Sequence, residues 1–186
     1  MKRNLVLRYL KLYTIGFCLV SGFELIAFLA LSFFIPIQVS SQNYTIVSLL
    51  FTSGLTPIHM PLLWILLFVS ICILIIFAII IYIIANNQKI TNTTYARILL
   101  SAGIFLLIAN FIKVEAIYIL SKSIVNPSGV ALYFELLLYN PSSTPFFGAA
   151  LWIYFTASVC VYLISGLVFA AIGLKWMLLL DNKELT

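Results

Sequence analysis

Part of this chain is written twice. Thr56-Pro57-Ile58-His59-Met60-Pro61-Leu62-Leu63-Trp64-Ile65 aligns without a gap on Thr144-Pro145-Phe146-Phe147-Gly148-Ala149-Ala150-Leu151-Trp152-Ile153. The same offset of 88 residues carries Ser70-Ile71-Cys72-Ile73 onto Ser158-Val159-Cys160-Val161. Seven identities in register (Thr, Pro, Leu, Trp, Ile, Ser, Cys) are hard to reach by chance, even in apolar sequence. The expectation is two copies of one unit: a helix, an outer segment ending in Thr-Pro, and a returning helix. Repeat 1 runs over about residues 10–86 and repeat 2 over about residues 97–174.

Composition says what solvent the two copies fold in. Of 186 residues, 64% are hydrophobic and 8% charged, against about 25% charged in a soluble domain. A membrane-spanning helix needs about 20 mainly apolar residues. Four such runs fit, over about residues 10–36, 61–85, 97–121 and 147–174. They leave no room for a separate soluble domain, so residues 1–186 read as a single membrane domain. The fold class is all-α integral membrane: four transmembrane helices as two parallel hairpin repeats, with short interfacial helices on the outer face.

The net charge of +5 is no nucleic-acid signal, because its distribution follows the positive-inside rule. Lys2, Arg3, Arg8, Lys11, Lys89, Arg97, Lys175 and Lys183 fall on one side, and only Lys122 on the other. Both termini and the middle loop are expected to face the cytoplasm of a multi-pass protein of the plasma membrane. The basic start followed by an apolar run reads as an uncleaved signal anchor, too long for the apolar core of a signal peptide.

Several local features carry expectations. Gly16-Phe17-Cys18-Leu19-Val20-Ser21-Gly22 and Ser165, Gly166, Ala170, Ala171, Gly173 offer small residues for close helix approach. The outer segments 37–60 and 123–147 each begin with polar or turn residues, including Asn126-Pro127-Ser128-Gly129. Each then has an apolar stretch too short to span, read as a helix at the interface. Thr56-Pro57 and Thr144-Pro145 suit the first turn of a returning helix. The Ile-rich second span is expected to face lipid over much of its surface. Trp64, Trp152 and Trp176 are placed in an aromatic belt. Cys18, Cys72 and Cys160 lie inside spans without a CxxC motif and read as small apolar side chains.

Intramembrane charge is the sharp chemical signal. Glu24, Lys113 and Glu115 lie within spans, and Asn110 is one turn from Lys113. A charge at the bilayer centre costs several kcal/mol on insertion scales, so such groups pair, face the interior or line a polar path. Glu24 and the 110–115 stretch sit on repeat-equivalent helices and are expected to face each other. Three roles fit them: a structural ion pair or subunit contact, a proton, ion or quinone site, or snorkelling of Lys113 and Glu115 to the interface. His59, the single histidine, is an outer-face candidate. Its repeat partner is Phe147, which favours an interfacial role. One histidine cannot supply two haem ligands, and no imidazole or thiolate spacing suits zinc or copper, so no metal or tightly held cofactor is expected beyond quinone or bound lipid.

Arg8, Gly16, Gly22 and Phe51-Thr52-Ser53-Gly54-Leu55-Thr56-Pro57 follow an order: small-rich first helix, short outer apolar segment, Gly-x-Thr-Pro, apolar second helix. Over about 60 residues this resembles the DoxX/DoxD group of small four-helix membrane proteins. That group includes a subunit of a thiosulfate:quinone oxidoreductase, so the resemblance implies a quinone-linked redox role. The group commonly carries a Glu in its second helix, where this chain reads Phe68-Val69-Ser70-Ile71.

The function expected from these features is that of an accessory, structural subunit of a larger membrane complex of respiratory or redox type, not catalytic on its own. Its partners would be the lipid bilayer and other membrane subunits, with no nucleic acid. A quinone-linked redox subunit and a small oligomeric transporter or channel are the alternatives.

Overall fold

The computed structural model describes residues 3–39, 42–87, 90–125 and 132–184, with side chains from residue 10 to residue 179 of these ranges. Four long helices dominate: α1 (Arg3–Phe33), α3 (His59–Asn86), α4 (Asn92–Lys122) and α6 (Phe146–Glu184). Each is long and apolar enough to cross a membrane, over Leu10–Phe33, His59–Asn86, Asn92–Lys122 and Phe146–Leu179. These spans lie close to those expected from the sequence, and the chain has the make-up of a multi-pass integral membrane protein. In hydrocarbon a backbone must satisfy its own polar groups, so even the Ile-rich run of α3 is helical. α3 is also the barest of the four, with Ile73, Ile76, Ile79, Ile80 and Ile83 all exposed.

The segments between the long helices hold more than short helices. β1 (Ile37–Val39) pairs antiparallel with β2 (Gln42–Tyr44), and α2 (Ile46–Phe51) follows. β3 (Ile124–Val125) pairs with β4 (Leu132–Tyr133), and α5 (Phe134–Tyr139) follows. Only helices were expected here, and the strand pairs correct that reading. Strand pairing gives backbone groups partners where the chain leaves a helix, and it buries Ile37, Val39 and Val125. The Asn126–Gly129 turn lies outside the described residues. α2 is held at its start by a capping box between Thr45 and Ser48. A positive φ of 67° at Gly54 turns the chain from α2 toward α3, a conformation glycine adopts without penalty.

The 88-residue offset reaches into the local geometry. Shifted by 88, the bounds of α2 become those of α5. Thr56 Oγ1 donates to Leu49 O at 3.4 Å, and Thr144 Oγ1 to Leu137 O at 2.8 Å. Ile46 and Phe134, Leu49 and Leu137, Trp64 and Trp152, and Leu67 and Phe155 are matched pairs of buried side chains. Between α1 and α4, both 31 residues long, the shift is 89. Leu10 and Leu99, Phe17 and Leu106, Ala27 and Ala116, and Leu31 and Leu120 are all buried.

The chain divides into two compact units, each made of parts of all four long helices. The first comprises Met1–Ser21, Ile73–Ile112 and Val159–Thr186. Its core gathers Leu10, Phe17, Leu74, Tyr95, Leu106, Tyr162, Phe169 and Trp176. Here α4 and α6 approach at van der Waals range through glycine. A Cβ on Gly103 would stand 2.3 Å from the Ala170 backbone nitrogen, and one on Gly173 would stand 2.4 Å from that of Leu100. The small face of α6 therefore serves close contact, as its sequence suggests. In α1 it does not: a Cβ on Gly16 or Gly22 would meet nothing within 4 Å.

The second unit comprises Gly22–Cys72 and Lys113–Ser158. Its core is aromatic. Phe28 stacks on Trp64 with centroids 4.6 Å apart, and Phe134 meets Trp152 edge-on at 6.1 Å. The three tryptophans are 3%, 1% and 6% exposed at positions 64, 152 and 176. They are packing residues and not the lipid-facing belt expected from their places near span ends. Burial is possible because a ring can find both a stacking partner and an acceptor: Trp64 Nε1 donates to Ser32 Oγ at 3.0 Å, while Trp176 stacks on Tyr95 in the first unit.

Candidate functional site

The second unit encloses the one buried ion pair among the described residues. Glu24 on α1 and Lys113 on α4 form a salt bridge, and neither side chain has exposed surface. Lys113 Nζ donates to Glu24 Oε1 and, at 3.0 Å, to Ser158 Oγ on α6. Ser158 Oγ lies 2.7 Å from Glu24 Oε1 and 2.7 Å from its own helix's Phe155 O, so its hydrogen has two acceptors. The ring of Phe155 sits under the ammonium, 5.0 Å from nitrogen to centroid, at cation–π range. Three helices are thus joined through one charged cluster closed over by apolar residues.

The physical balance explains its form. A buried ion pair gains little or nothing over a well-packed apolar pair, because two charges must leave water. Removing one partner is different: it strands the other charge and costs about 3–5 kcal/mol. The cluster therefore has the energetics of a lock that is neutral when complete and severe when half-made.

The structure separates the sequence candidates. Glu24 and Lys113 meet, as their equivalent helices suggested. Asn110, three residues before Lys113 on α4, belongs to the first unit; it is fully buried, and its amide N and O have no hydrogen-bond partner. Glu115 is exposed on α4 between exposed Ile112 and Tyr118. His59 is exposed too, and its Nε2 is 2.8 Å from Ser123 Oγ. Ser123 already donates to Ile119 O at 2.7 Å, so the imidazole must be the donor. His59 thereby ties the start of α3 to the end of α4.

Ser158 is the member that sequence reading left without a role. The repeat alignment contains it, opposite Ser70, but Ser70 only returns a hydrogen bond to Leu66 O at 2.8 Å. A second polar tie was also missed: in the first unit, Tyr162 Oη donates to Ser21 Oγ at 3.2 Å. The signal available for both was the spacing of Ser158, Tyr162 and Ser165 along α6, which puts three hydroxyls near one stripe of an otherwise apolar helix.

Among the described residues no three His, Cys, Asp or Glu side chains come close enough to hold a metal ion. Cys18, Cys72 and Cys160 are free thiols. No protein-family model, curated protein or solved structure matches the chain.

Proposed function

We propose that this chain is an accessory, structural subunit of a larger membrane complex, built as two hairpin repeats with both termini on the cytoplasmic side. One observation carries the reading. The strongest intramembrane charges, Glu24 and Lys113, have no exposed surface and are spent on each other and on Ser158. A proton carrier or a quinone site needs a charged or polar group that its substrate can touch. This pair instead holds α1, α4 and α6 in one arrangement. The side chains offered outward are apolar, such as Phe111, Ile112, Tyr118 and Ile119 on α4, with Glu115 exposed among them. That is a surface for lateral contact with lipid and with other helices. A respiratory or redox assembly is the type of complex we favour, on the DoxX/DoxD resemblance of the 51–57 segment.

The test is gentle purification from the native membrane, followed by mass spectrometry of what stays bound in stoichiometric amount. A stable partner carrying haem, flavin or copper is expected. A preparation that is homogeneous, free of partners and active in proton or ion flux after reconstitution would sink the proposal and favour the transporter reading.

A further inference from the structure

We infer that the face of α4 around Glu115 is the seat of a transmembrane helix of another subunit, one that carries a lysine or arginine at the depth of Glu115. The inference rests on the accessory-subunit reading and names the chemistry of the partner. Glu115 lies within the membrane-crossing span Asn92–Lys122. It is two residues past Lys113, hence roughly 3 Å further along the helix than the buried ion pair. Unlike that pair it is exposed. Phe111 and Ile112, one turn before it, and Tyr118 and Ile119, one turn after it, are all exposed as well. Residues three and four apart share a helix face, so the carboxylate stands in the middle of an outward apolar surface.

Nothing in the described part of the chain relieves that charge. Among the described residues no ion pair or hydrogen bond engages Glu115. The groups at this end of α4 that could meet it are committed elsewhere. Lys122 pairs with Glu135 at 3.4 Å, and His59 Nε2 donates to Ser123 Oγ at 2.8 Å. Lys113 is closed over with Glu24. The near end of the span is out of reach of so short a side chain. Lys122 is seven residues on, roughly 10 Å along the axis. Helix side chains also lean toward the N-terminus of their own helix, which carries this carboxylate away from that end. A carboxylate facing hydrocarbon is costly, and intramembrane charges normally pair.

The sign of the charge selects the partner. A second copy of this chain docked by the same face would set carboxylate against carboxylate. Lipid tails offer no counter-charge, and the amine of a lipid headgroup lies at the membrane surface, not at this depth. A basic side chain in an otherwise apolar helix has the complementary need: each charge is costly alone in hydrocarbon, and together they neutralise. Shape adds a seat. Ile119 also lines a hollow of about 440 Å³ with Leu62, Leu63 and Leu66 of α3, among others. Apolar side chains of the docked helix can pack there while its cation meets Glu115.

The probe is a photoreactive benzophenone side chain placed at Tyr118 of the full-length chain and illuminated in the native membrane. One discrete adduct is expected. Glu115→Leu and Glu115→Lys should each lower its yield at least tenfold while the melting temperature stays near wild type, and Glu115→Asp should keep most of it. The adduct protein should carry a lysine or arginine inside an apolar span, and changing that residue to Glu should restore the adduct to the Glu115→Lys variant. An adduct that survives Glu115→Leu would overturn the inference. So would an adduct protein with no basic residue in a span, or an adduct made of two copies of this chain. No adduct from a chain that still purifies with a stoichiometric partner would overturn this face alone and leave the accessory reading standing; no adduct and no partner would overturn both.

Discussion

Glu24 and Lys113 are each the twenty-second residue of a 31-residue helix, counted from Arg3 and from Asn92. The ion pair thus joins two equivalent positions that carry opposite charges. The two residues, 89 apart in sequence, meet where α1 and α4 are joined with Ser158 of α6.

This placement makes a charge-swap prediction. Glu24→Leu should destabilise the protein by about 3–5 kcal/mol, because it strands the Lys113 ammonium. Glu24→Gln should be milder, since the amide still accepts from Nζ. The double variant Glu24→Lys with Lys113→Glu should recover most of the loss. Thermal unfolding in detergent measures all three. A swap as damaging as the single Leu variant would show that the two positions are not equivalent.

The two Thr-Pro corners should differ in strength though they share a design. Thr144 is buried and its bond to Leu137 O is 2.8 Å. Thr56 is half-buried and splits its bond between Leu49 O and Leu50 O at 3.4 and 3.3 Å. Thr144→Val should cost about 1–1.5 kcal/mol, and Thr56→Val should cost less. Equal costs, by the same unfolding measurement, would contradict the geometric distinction.

Glycines give a sharper contrast. Gly103→Ala and Gly173→Ala force a methyl against backbone atoms of the neighbouring helix and should each destabilise by about 1–3 kcal/mol or more. Gly16→Ala should leave stability unchanged. The sequence does not distinguish these cases. Gly16 sits in the small-rich run that reads as a contact face, while Gly103 is flanked by Ala102 and Ile104 and draws no notice. Closeness of backbones is a property of two helices together, and one helix's sequence shows only half of it.

Topology can be checked directly. In a background with Cys18, Cys72 and Cys160 replaced by Ala, a cysteine at Gln42 should react with a membrane-impermeant maleimide added outside intact cells, and one at Thr93 should not. Labelling with the reverse pattern would invert the proposed orientation.

What could be read from the sequence follows from physical range. Span positions were legible because apolar length against bilayer thickness is a one-dimensional quantity. The Glu24–Lys113 pair was legible because an intramembrane charge demands a partner and few are available. Ser158 was not, since a serine in a membrane helix can satisfy itself on its own backbone, as Ser70 does. The tryptophans misled because proximity to a span end does not decide whether an indole points at headgroups or into the core. The strands of two and three residues, 37–39 with 42–44 and 124–125 with 132–133, are too short to leave a period-two pattern.

The opposite signs at positions 24 and 113 also bear on which halves can recognise each other. Two copies of the first half, meeting as the two halves meet here, would bring carboxylate against carboxylate; two copies of the second would bring ammonium against ammonium. Either encounter buries like charges, and only the mixed one neutralises them. A chain severed between Asn87 and Asn92 is accordingly expected to give fragments that pair with each other in preference to themselves, which co-expression of the two halves would check.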